Sequence, residues 1–187
     1  MSVQEMIASV RQTGATKLSL HGMGLDTIPP EVADLTQLQV LNVSQNRLVE
    51  IPDFVSKLTN LREFAAPMNQ ISEFPVVLCD LPDIQVIELS LNKIGELPSP
   101  IGRVHSLRHL GMAMNRLQEL PIEIANILGS LRSLNVSANQ LTGILPEVLE
   151  VWLEEPFDLR IAGNPLDNVP PDLESDSAIL SHLADQL

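Results

Sequence analysis

The sequence predicts an α/β solenoid: a right-handed coil of repeated units with a parallel sheet on its concave face, 3₁₀ or irregular turns on its convex face and a short capping helix at each end. Three observations lead to this fold class. An 11-residue pattern of apolar residues recurs, an asparagine stands at the same place in almost every copy, and an apolar residue followed by proline comes soon after. Such an array buries apolar surface between neighbouring units rather than in one globular core.

The clearest copy of the pattern is LQVLNVSQNRL, from Leu38 to Leu48. With Leu38 as position 1, apolar residues occupy positions 1, 4, 6 and 11, and asparagine occupies position 9. Six further copies, the first and last of them weaker, begin at Ala15, Leu61, Ile84, Leu107, Leu131 and Pro156. The position 9 asparagines are spaced 23, 23, 23, 24 and 25 residues apart, and they are Asn46, Asn69, Asn92, Asn115, Asn139 and Asn164. Seven copies in register indicate a repeat protein.

Each unit is expected to contribute a strand followed by a convex turn. Positions 3 to 7 alternate as a strand does, which predicts that positions 4 and 6 are buried and positions 3, 5 and 7 exposed. Proline lacks a backbone donor and suits the bend into the convex side, where a three-residue apolar spacing predicts short 3₁₀ turns. The sixth unit carries an extra residue and Trp152, so we expect a longer convex helix or a bulge there. The prolines of this column are Pro29, Pro52, Pro75, Pro98, Pro121, Pro146 and Pro170.

Both ends of the array are predicted to carry a capping helix. Ser2 and Glu5 have capping-box spacing, and Gly14 suits the residue after a helix, so a short amphipathic helix is expected before the first unit. Ser175 or Asp176 is the expected N-cap of a closing helix. The predicted organisation is one structural domain with an N-terminal capping helix at 1–14, seven repeats at 15–173 and a C-terminal capping helix at 174–187. Because both ends are closed, we expect a complete small protein.

The pattern LxxLxLxxNxL followed by an apolar-proline step resembles the leucine-rich-repeat family, in its short intracellular type with a 23-residue period. The resemblance covers roughly residues 15 to 173. The opening from Gly14 to Pro29 and the closing GNPLDNVP are most similar to small cytoplasmic members related to Ras-suppressor proteins. This resemblance implies a horseshoe-shaped arc, and it implies that each position 9 amide satisfies interior backbone groups. It also implies partners such as small GTPases, their regulators, kinases and phosphatases.

Composition and charge narrow the possible environments and partners. The single cysteine, Cys79, cannot form an internal disulfide, and the first residues lack a basic leader, so the expected location is cytoplasmic. A formal net charge of −13 disfavours nucleic acid and anionic membranes as ligands. It favours a basic or neutral protein partner, or else it only keeps a leucine-rich solenoid in solution. We expect the protein to be monomeric when alone.

The sequence offers no arrangement for catalysis, cofactor binding or metal binding. None of the histidines has a cysteine or carboxylate at metal-ligand spacing, and Cys79 is expected to be a buried structural thiol. A column of position 13 glutamates, Glu50, Glu73, Glu96 and Glu119, is offset by the position 10 side chains of Arg47, Lys93 and Arg116, so it is interpreted as a solvated edge with at most a weak docking role. The four histidines are His21, His105, His109 and His182.

The prediction of function rests on apolar residues at strand positions that should face water. Position 8 reads Gln45, Met68, Leu91, Met114 and Ala138, and a contiguous apolar patch usually marks an interaction site. The alternative is that positions 7 and 8 pack locally into the turn. We therefore expect a non-enzymatic scaffold or adaptor that binds a protein on its concave face; the alternative is a substrate-recognition subunit of an enzyme complex acting in trans. The predicted partner-binding residues are Val40, Arg62, Glu63, Ala65, Met68, Val86, Glu88, Leu91, Arg108, His109 and Met114.

Overall fold

The computed structural model of the chain describes residues 1–154, 157–167, 169–170 and 172–186. Within these residues the strands form one open parallel sheet of seven, in chain order from β1 to β7, which confirms the predicted fold class. The start of the seventh unit at Pro156 and the last residue of the predicted closing helix, Leu187, lie outside the described residues. The strands are β1 Lys17–Ser19, β2 Val40–Asn42, β3 Glu63–Ala65, β4 Val86–Glu88, β5 His109–Gly111, β6 Ser133–Asn135 and β7 Asp158–Arg160.

Neighbouring strands pair position for position, so each repeat position forms a column across the sheet. Leu41 pairs with Phe64, for example, and both are position 4 residues. The strands cover only positions 3 to 5, which is shorter than the predicted positions 3 to 7, and the chain turns at position 8. The backbone contacts nevertheless continue past the strands: the Val43 N–H donates to the Ala65 carbonyl at 2.8 Å, and the Gln45 N–H donates to the Pro67 carbonyl at 2.9 Å.

The core is a continuous stack of the apolar columns. The residues at positions 1, 4, 6 and 11 of the central units are buried, and Phe64 at position 4 is the largest fully buried side chain. The prediction that positions 3, 5 and 7 are exposed was partly wrong. Most of them are half-buried, and Ser44 at position 7 is buried, because strands on both sides crowd the surface of the sheet.

Short helices line the convex side, as predicted. Each 3₁₀ helix begins directly after a proline of the apolar-proline column: Pro30–Asp34, Asp53–Lys57, Val76–Asp80, Ser99–Arg103 and Ile122–Ile124. In the fifth unit the last of these continues into helix α2, Ala125–Leu128, which the sequence analysis did not predict. The sixth unit carries helix α3, Pro146–Glu154, which confirms the expected longer helix.

A helix flanks the sheet at each end. Helix α1, Val3–Thr13, has the predicted capping box between Ser2 and Glu5 and ends at Gly14, whose φ is 68°. Helix α4, Asp176–Ala184, has Ser175 as its N-cap. Among the described residues no helix is both long enough and apolar enough to cross a membrane.

The carboxylate of Asp176 joins helix α4 to the last strand. In the preceding units the position 6 N–H donates to the position 5 carbonyl of the next unit, as Val136 does to Arg160 at 2.8 Å. Ile161 occupies position 6 of the seventh unit, and its N–H donates instead to Asp176 Oδ1 at 2.6 Å. The Ala162 N–H donates to the same oxygen at 2.6 Å. A single side chain thus supplies acceptors for two backbone donors at the edge of β7.

Candidate functional site

The concave face rests on the position 9 asparagines, which fix the turn that follows each strand. In the fourth unit Asn92 Nδ2 donates to the Leu89 carbonyl at 2.9 Å and to the Ala66 carbonyl of the preceding unit at 3.0 Å. Its Oδ1 accepts the Ile71 N–H, also of the preceding unit, at 3.0 Å. The same pattern recurs at the other asparagines of this column. The implied role of the amides is therefore present: each one holds two units together where the backbone leaves the sheet.

Position 8, just before the asparagine, has left-handed backbone geometry in all seven units, a feature that the sequence analysis missed. Glycine occupies this position in the first and seventh units, where Gly22 and Gly163 have φ of 65° and 74°. Those two glycines were the available signal, because glycine adopts positive φ without steric cost. The central units hold residues with a Cβ in the same geometry: Gln45 (φ 54°), Met68 (57°), Leu91 (59°), Met114 (55°) and Ala138 (52°).

The left-handed geometry turns the position 8 side chains out of the core. Met68, Leu91 and Met114 are 47%, 45% and 55% exposed, and they form a line across three neighbouring units that we call the apolar column. The alternative that position 8 packs locally is thus not what the structure shows for these three residues. Position 7 behaves differently, since Pro67 and Ala113 are half-buried.

The other predicted site residues surround the apolar column with different degrees of exposure. Val40, Ala65 and Val86 are half-buried on their strands, whereas His109 and Arg62 are exposed. Glu63 on β3 is also half-buried.

Two charged residues of the predicted site have partners within the protein. The Arg108 guanidinium donates to the Ser130 carbonyl at 2.8 Å. The Glu88 carboxylate accepts the Ser90 N–H at 2.8 Å and lies over Gly111, where a Cβ would overlap it. Gly111 is therefore buried beneath Glu88 and adds nothing to the exposed apolar surface.

Basic side chains are concentrated on this face. We count as the concave face positions 2, 3, 5, 7, 8 and 10 of each unit. These positions hold eight of the eleven lysines and arginines but only three of the twenty-four acidic residues, Glu63, Glu88 and Asp158, which gives a net charge of +5 in a chain of net charge −13. The basic residues are Lys17, Arg47, Arg62, Lys93, Arg108, Arg116, Arg132 and Arg160.

One ion pair lies on the last strand. Arg160 Nη2 stands 3.0 Å from Asp158 Oδ2, and the hydrogen bond from the Arg160 guanidinium holds the pKa of the Asp158 carboxyl below its usual range. The Ser133 hydroxyl also donates to this carboxylate, at 3.2 Å. Asp158 and Arg160 therefore largely satisfy each other.

The position 13 glutamates lie outside the concave face and are all exposed. Three of them, Glu73, Glu96 and Glu119, line an open groove of about 690 Å³ beside Val76. The predicted offset by position 10 cations is not formed as direct ion pairs: among the described residues Arg47 pairs with Asp26 at 3.0 Å, and Lys93 Nζ donates to Gln70 Oε1 at 3.2 Å.

The chemically reactive side chains form no catalytic arrangement in the described part of the chain. Cys79 is half-buried rather than buried, and burial raises the pKa of its thiol to about 12, which keeps it protonated at neutral pH. His21, His105 and His109 are exposed, and His182 is half-buried. Within the described residues no group of three or more His, Cys, Asp or Glu side chains could hold a metal ion.

Known proteins share both the repeat and the fold. The Leucine Rich Repeat family profile matches residues 37–58 and 130–152. A probable inactive serine/threonine-protein kinase, roco10, of Dictyostelium discoideum is 29% identical over 72 residues, which is 38% of this chain and 3% of that protein. A leucine-rich-repeat protein of Leptospira interrogans is 27% identical with a TM-score of 0.78 over 88% of this chain and 41% of its own. A Shigella effector LRR domain, 20% identical, has a TM-score of 0.68 over 89% of this chain and 67% of its own.

The repeated units, the asparagine ladder and these similarities support a leucine-rich-repeat protein. Proteins of this class generally mediate protein–protein interaction, and the fold is typically a non-enzymatic interaction module. The chain spans 3% of the length of the matched kinase and 41% of the Leptospira protein, so the match to the kinase concerns a small part of that protein. The closer affiliation to Ras-suppressor proteins stays a prediction.

Proposed function

We propose that this protein is a non-enzymatic scaffold or adaptor that binds a protein partner through the apolar column of its concave face. The single observation that carries the proposal is the line of Met68, Leu91 and Met114, which are roughly half exposed and adjacent across three units. Methionine suits surfaces that adapt to a partner, and exposed apolar patches commonly mark interaction sites.

Folding gives no reason for large apolar side chains at position 8. A residue with a Cβ in left-handed geometry costs on the order of 1 kcal/mol, and glycine, which the first and seventh units use, avoids that cost. About half of the surface of each of the three side chains also stays in water, so each adds less to the core than a fully buried apolar residue does. Binding a partner accounts for both features, because the partner would cover the exposed surface.

The remaining details of the proposal rest on the sequence. The resemblance to small signalling members of the family supports partners in small-GTPase, kinase or phosphatase pathways, and the single unpaired Cys79 supports a cytoplasmic location. The protein would act as a monomer that presents one face. If the partner proves to be a catalytic subunit whose substrates are captured only in the presence of this chain, the role is that of a substrate-recognition subunit.

Site-specific photo-crosslinking tests the position of the binding face. A photoreactive amino acid replacing Leu91 is expected to crosslink to a discrete partner protein in cell extract. The same residue replacing Ile122, which is 52% exposed on the convex side, is expected to give no crosslink to that protein. Crosslinking from position 122 but not from position 91 would place the interface on the convex side and contradict the proposal.

A glycine substitution in the apolar column tests its contribution without introducing a charge. Met114→Gly should keep the fold, because φ at this position is 55°, a geometry that favours glycine. It should weaken binding of the crosslinked partner at least about tenfold, as loss of a central apolar contact does. The matched control is Val49→Ala, which also shortens an exposed apolar side chain, 56% exposed, but at position 12.

A further inference from the structure

We infer that the concave face recognises an acidic, extended segment of the partner protein, whose apolar side chains contact the apolar column and whose carboxylates face two rows of basic residues. This inference rests on the proposed function, since it names the chemistry of what that face binds. The first row stands at position 2 and consists of Arg62, Arg108 and Arg132; the second stands at position 10 and consists of Arg47, Lys93 and Arg116.

The two rows lie on opposite sides of the apolar column. Position 2 precedes each strand, and position 10 follows the turn after it. With a rise of about 3.3 Å per strand residue, the position 2 row lies roughly 20 Å from the position 8 column, and neighbouring units are about 4.8 Å apart. An extended segment running across the strands midway between the position 2 row and the apolar column would lie roughly 10 Å from each, so its carboxylates reach the arginines on one side and its apolar side chains reach the apolar column on the other. The position 10 row lies just beyond the apolar column.

Half of these cations have no partner within the described part of the protein. The guanidinium groups of Arg62, Arg116 and Arg132 are exposed and make no hydrogen bond or ion pair with any described residue. Of the three acidic residues on this face, Asp158 is paired with Arg160, while Glu63 and Glu88 make no ion pair with a described residue. The basic residues of this face outnumber its carboxylates by eight to three, which leaves a positive field that attracts negative charge.

The net charge of the whole chain gives no indication of this positive field on the concave face. The net charge of −13 led to the expectation of a basic or neutral partner. Because the concave face carries +5, the rest of the molecule carries −18, and an acidic partner would be repelled everywhere except on this face. The charge distribution therefore orients an acidic partner as well as attracting it.

The apolar column favours an acidic protein segment over other anions. A nucleic acid or a phosphate-rich surface would pair with the arginines but would gain little from Met68, Leu91 and Met114. A segment that alternates acidic and apolar residues satisfies both the basic rows and the apolar column. A second copy of this chain is also acidic on its outer surface, so self-association is one outcome to be measured.

Binding of defined peptide pools tests the inference. Three fluorescent pools of 12-residue peptides share the same apolar residues and differ only in the intervening positions, which are Asp and Glu, Lys and Arg, or Asn and Gln. Fluorescence anisotropy is expected to show the acidic pool half-saturating the protein at a concentration at least about tenfold lower than either other pool. Its affinity should fall about tenfold between 50 and 300 mM NaCl, because screening weakens charge attraction.

Charge reversal connects the binding to the named residues. Arg62→Glu combined with Arg132→Glu should weaken the acidic pool at least tenfold and strengthen the basic pool. The matched control, Lys57→Glu combined with Arg103→Glu, makes the same change in net charge at two exposed basic residues on the convex side, and it should leave the acidic pool within about twofold of the wild type. Equal effects of both changes would overturn the inference, since the net charge alone would then decide binding.

The remaining outcomes separate this inference from the proposed function. If the neutral or basic pool binds best and Met114→Gly still removes that binding, the acidic partner is wrong and the apolar column stands as the site. If the acidic pool does not bind at 1 mM, or if single-stranded DNA of equal charge binds as tightly, the inference is overturned. Sedimentation showing that the protein pairs with itself through this face would likewise replace the acidic segment with a second copy. Failure of Met114→Gly to affect any pool or the crosslinked partner overturns the proposed function itself.

Discussion

Each position 9 asparagine uses one side-chain amide to bond the backbones of two units, so its removal weakens the neighbouring unit as well as its own turn. Asn92 is buried, and its carbonyl and amino groups contact the backbones of both the third and fourth units. The resemblance to the leucine-rich-repeat family implied these contacts for the asparagine that recurs at position 9. It did not predict the left-handed geometry one residue earlier, because Met68, Leu91 and Met114 are residue types that rarely adopt it.

Asn92→Ala is expected to lower the free energy of unfolding by several kcal/mol, because it leaves the Ile71 N–H without its acceptor and removes one of the two asparagine donors from each of the Ala66 and Leu89 carbonyls. Chemical denaturation measures the loss, and hydrogen exchange should show faster exchange at the Ile71 amide in particular. The control is Gln70→Ala, an exposed neighbour of the ladder that should cost less than about 0.5 kcal/mol. Equal stability of wild type and Asn92→Ala would show that these bonds do not hold the units together.

At the scale of elements, the convex helices of the fourth and fifth units pack tightly against each other at a glycine. Gly102 is buried in the fourth 3₁₀ helix, and a Cβ there would lie 2.5 Å from the Glu123 carbonyl oxygen and 2.7 Å from the Glu123 Cβ. Proline positions predicted where the 3₁₀ helices begin. They could not predict α2, because its extra turn depends on how the fifth unit packs against the fourth.

Gly102→Ala is expected to destabilise the protein by roughly 1–3 kcal/mol, since backbone atoms would have to move to admit the methyl group. Gly95→Ala is the matched control, because a Cβ at that glycine meets no atom within 4 Å. Removing conformational freedom of the unfolded chain there should change stability by about +0.4 to +1 kcal/mol. Thermal unfolding compares the two; an equal loss in both variants would show that the contact with Glu123 does not limit the packing.

At the scale of the whole molecule, charge is divided between two surfaces. The position 13 glutamates stand in neighbouring units about 4.8 Å apart, and the described residues give them no ion pair. The repeat positions assign each charged residue to the concave face or to the remainder of the molecule, so this division could have been predicted from the sequence. The net charge of −13 does not show it, because it sums a basic concave face and an acidic remainder.

Glu96→Gln is expected to stabilise the protein by less than about 1 kcal/mol at 20 mM NaCl, because it removes repulsion from Glu73 and Glu119. The gain should shrink at 300 mM NaCl, where salt screens exposed charges. Glu147→Gln serves as the control, because Glu147 lies in the first turn of α3, where a negative charge is favourable. Denaturation at both salt concentrations measures the effect, and a gain at Glu96 that does not depend on salt would argue against repulsion as its cause.

The carboxylate of Asp176 also affects whether a strand from another molecule could be added to the sheet. A strand from another molecule that extended the sheet beyond β7 in the register of the array would have to accept from the Ile161 N–H, and this donor already binds Asp176 Oδ1. Unpaired edge strands are templates for fibres and domain swapping, and natural proteins block them with charged side chains or covering helices. Helix α4 provides both a charged side chain and a helix at the β7 end of the sheet. Its first residue, Asp176, therefore opposes the addition of a further strand as well as contributing to the fold.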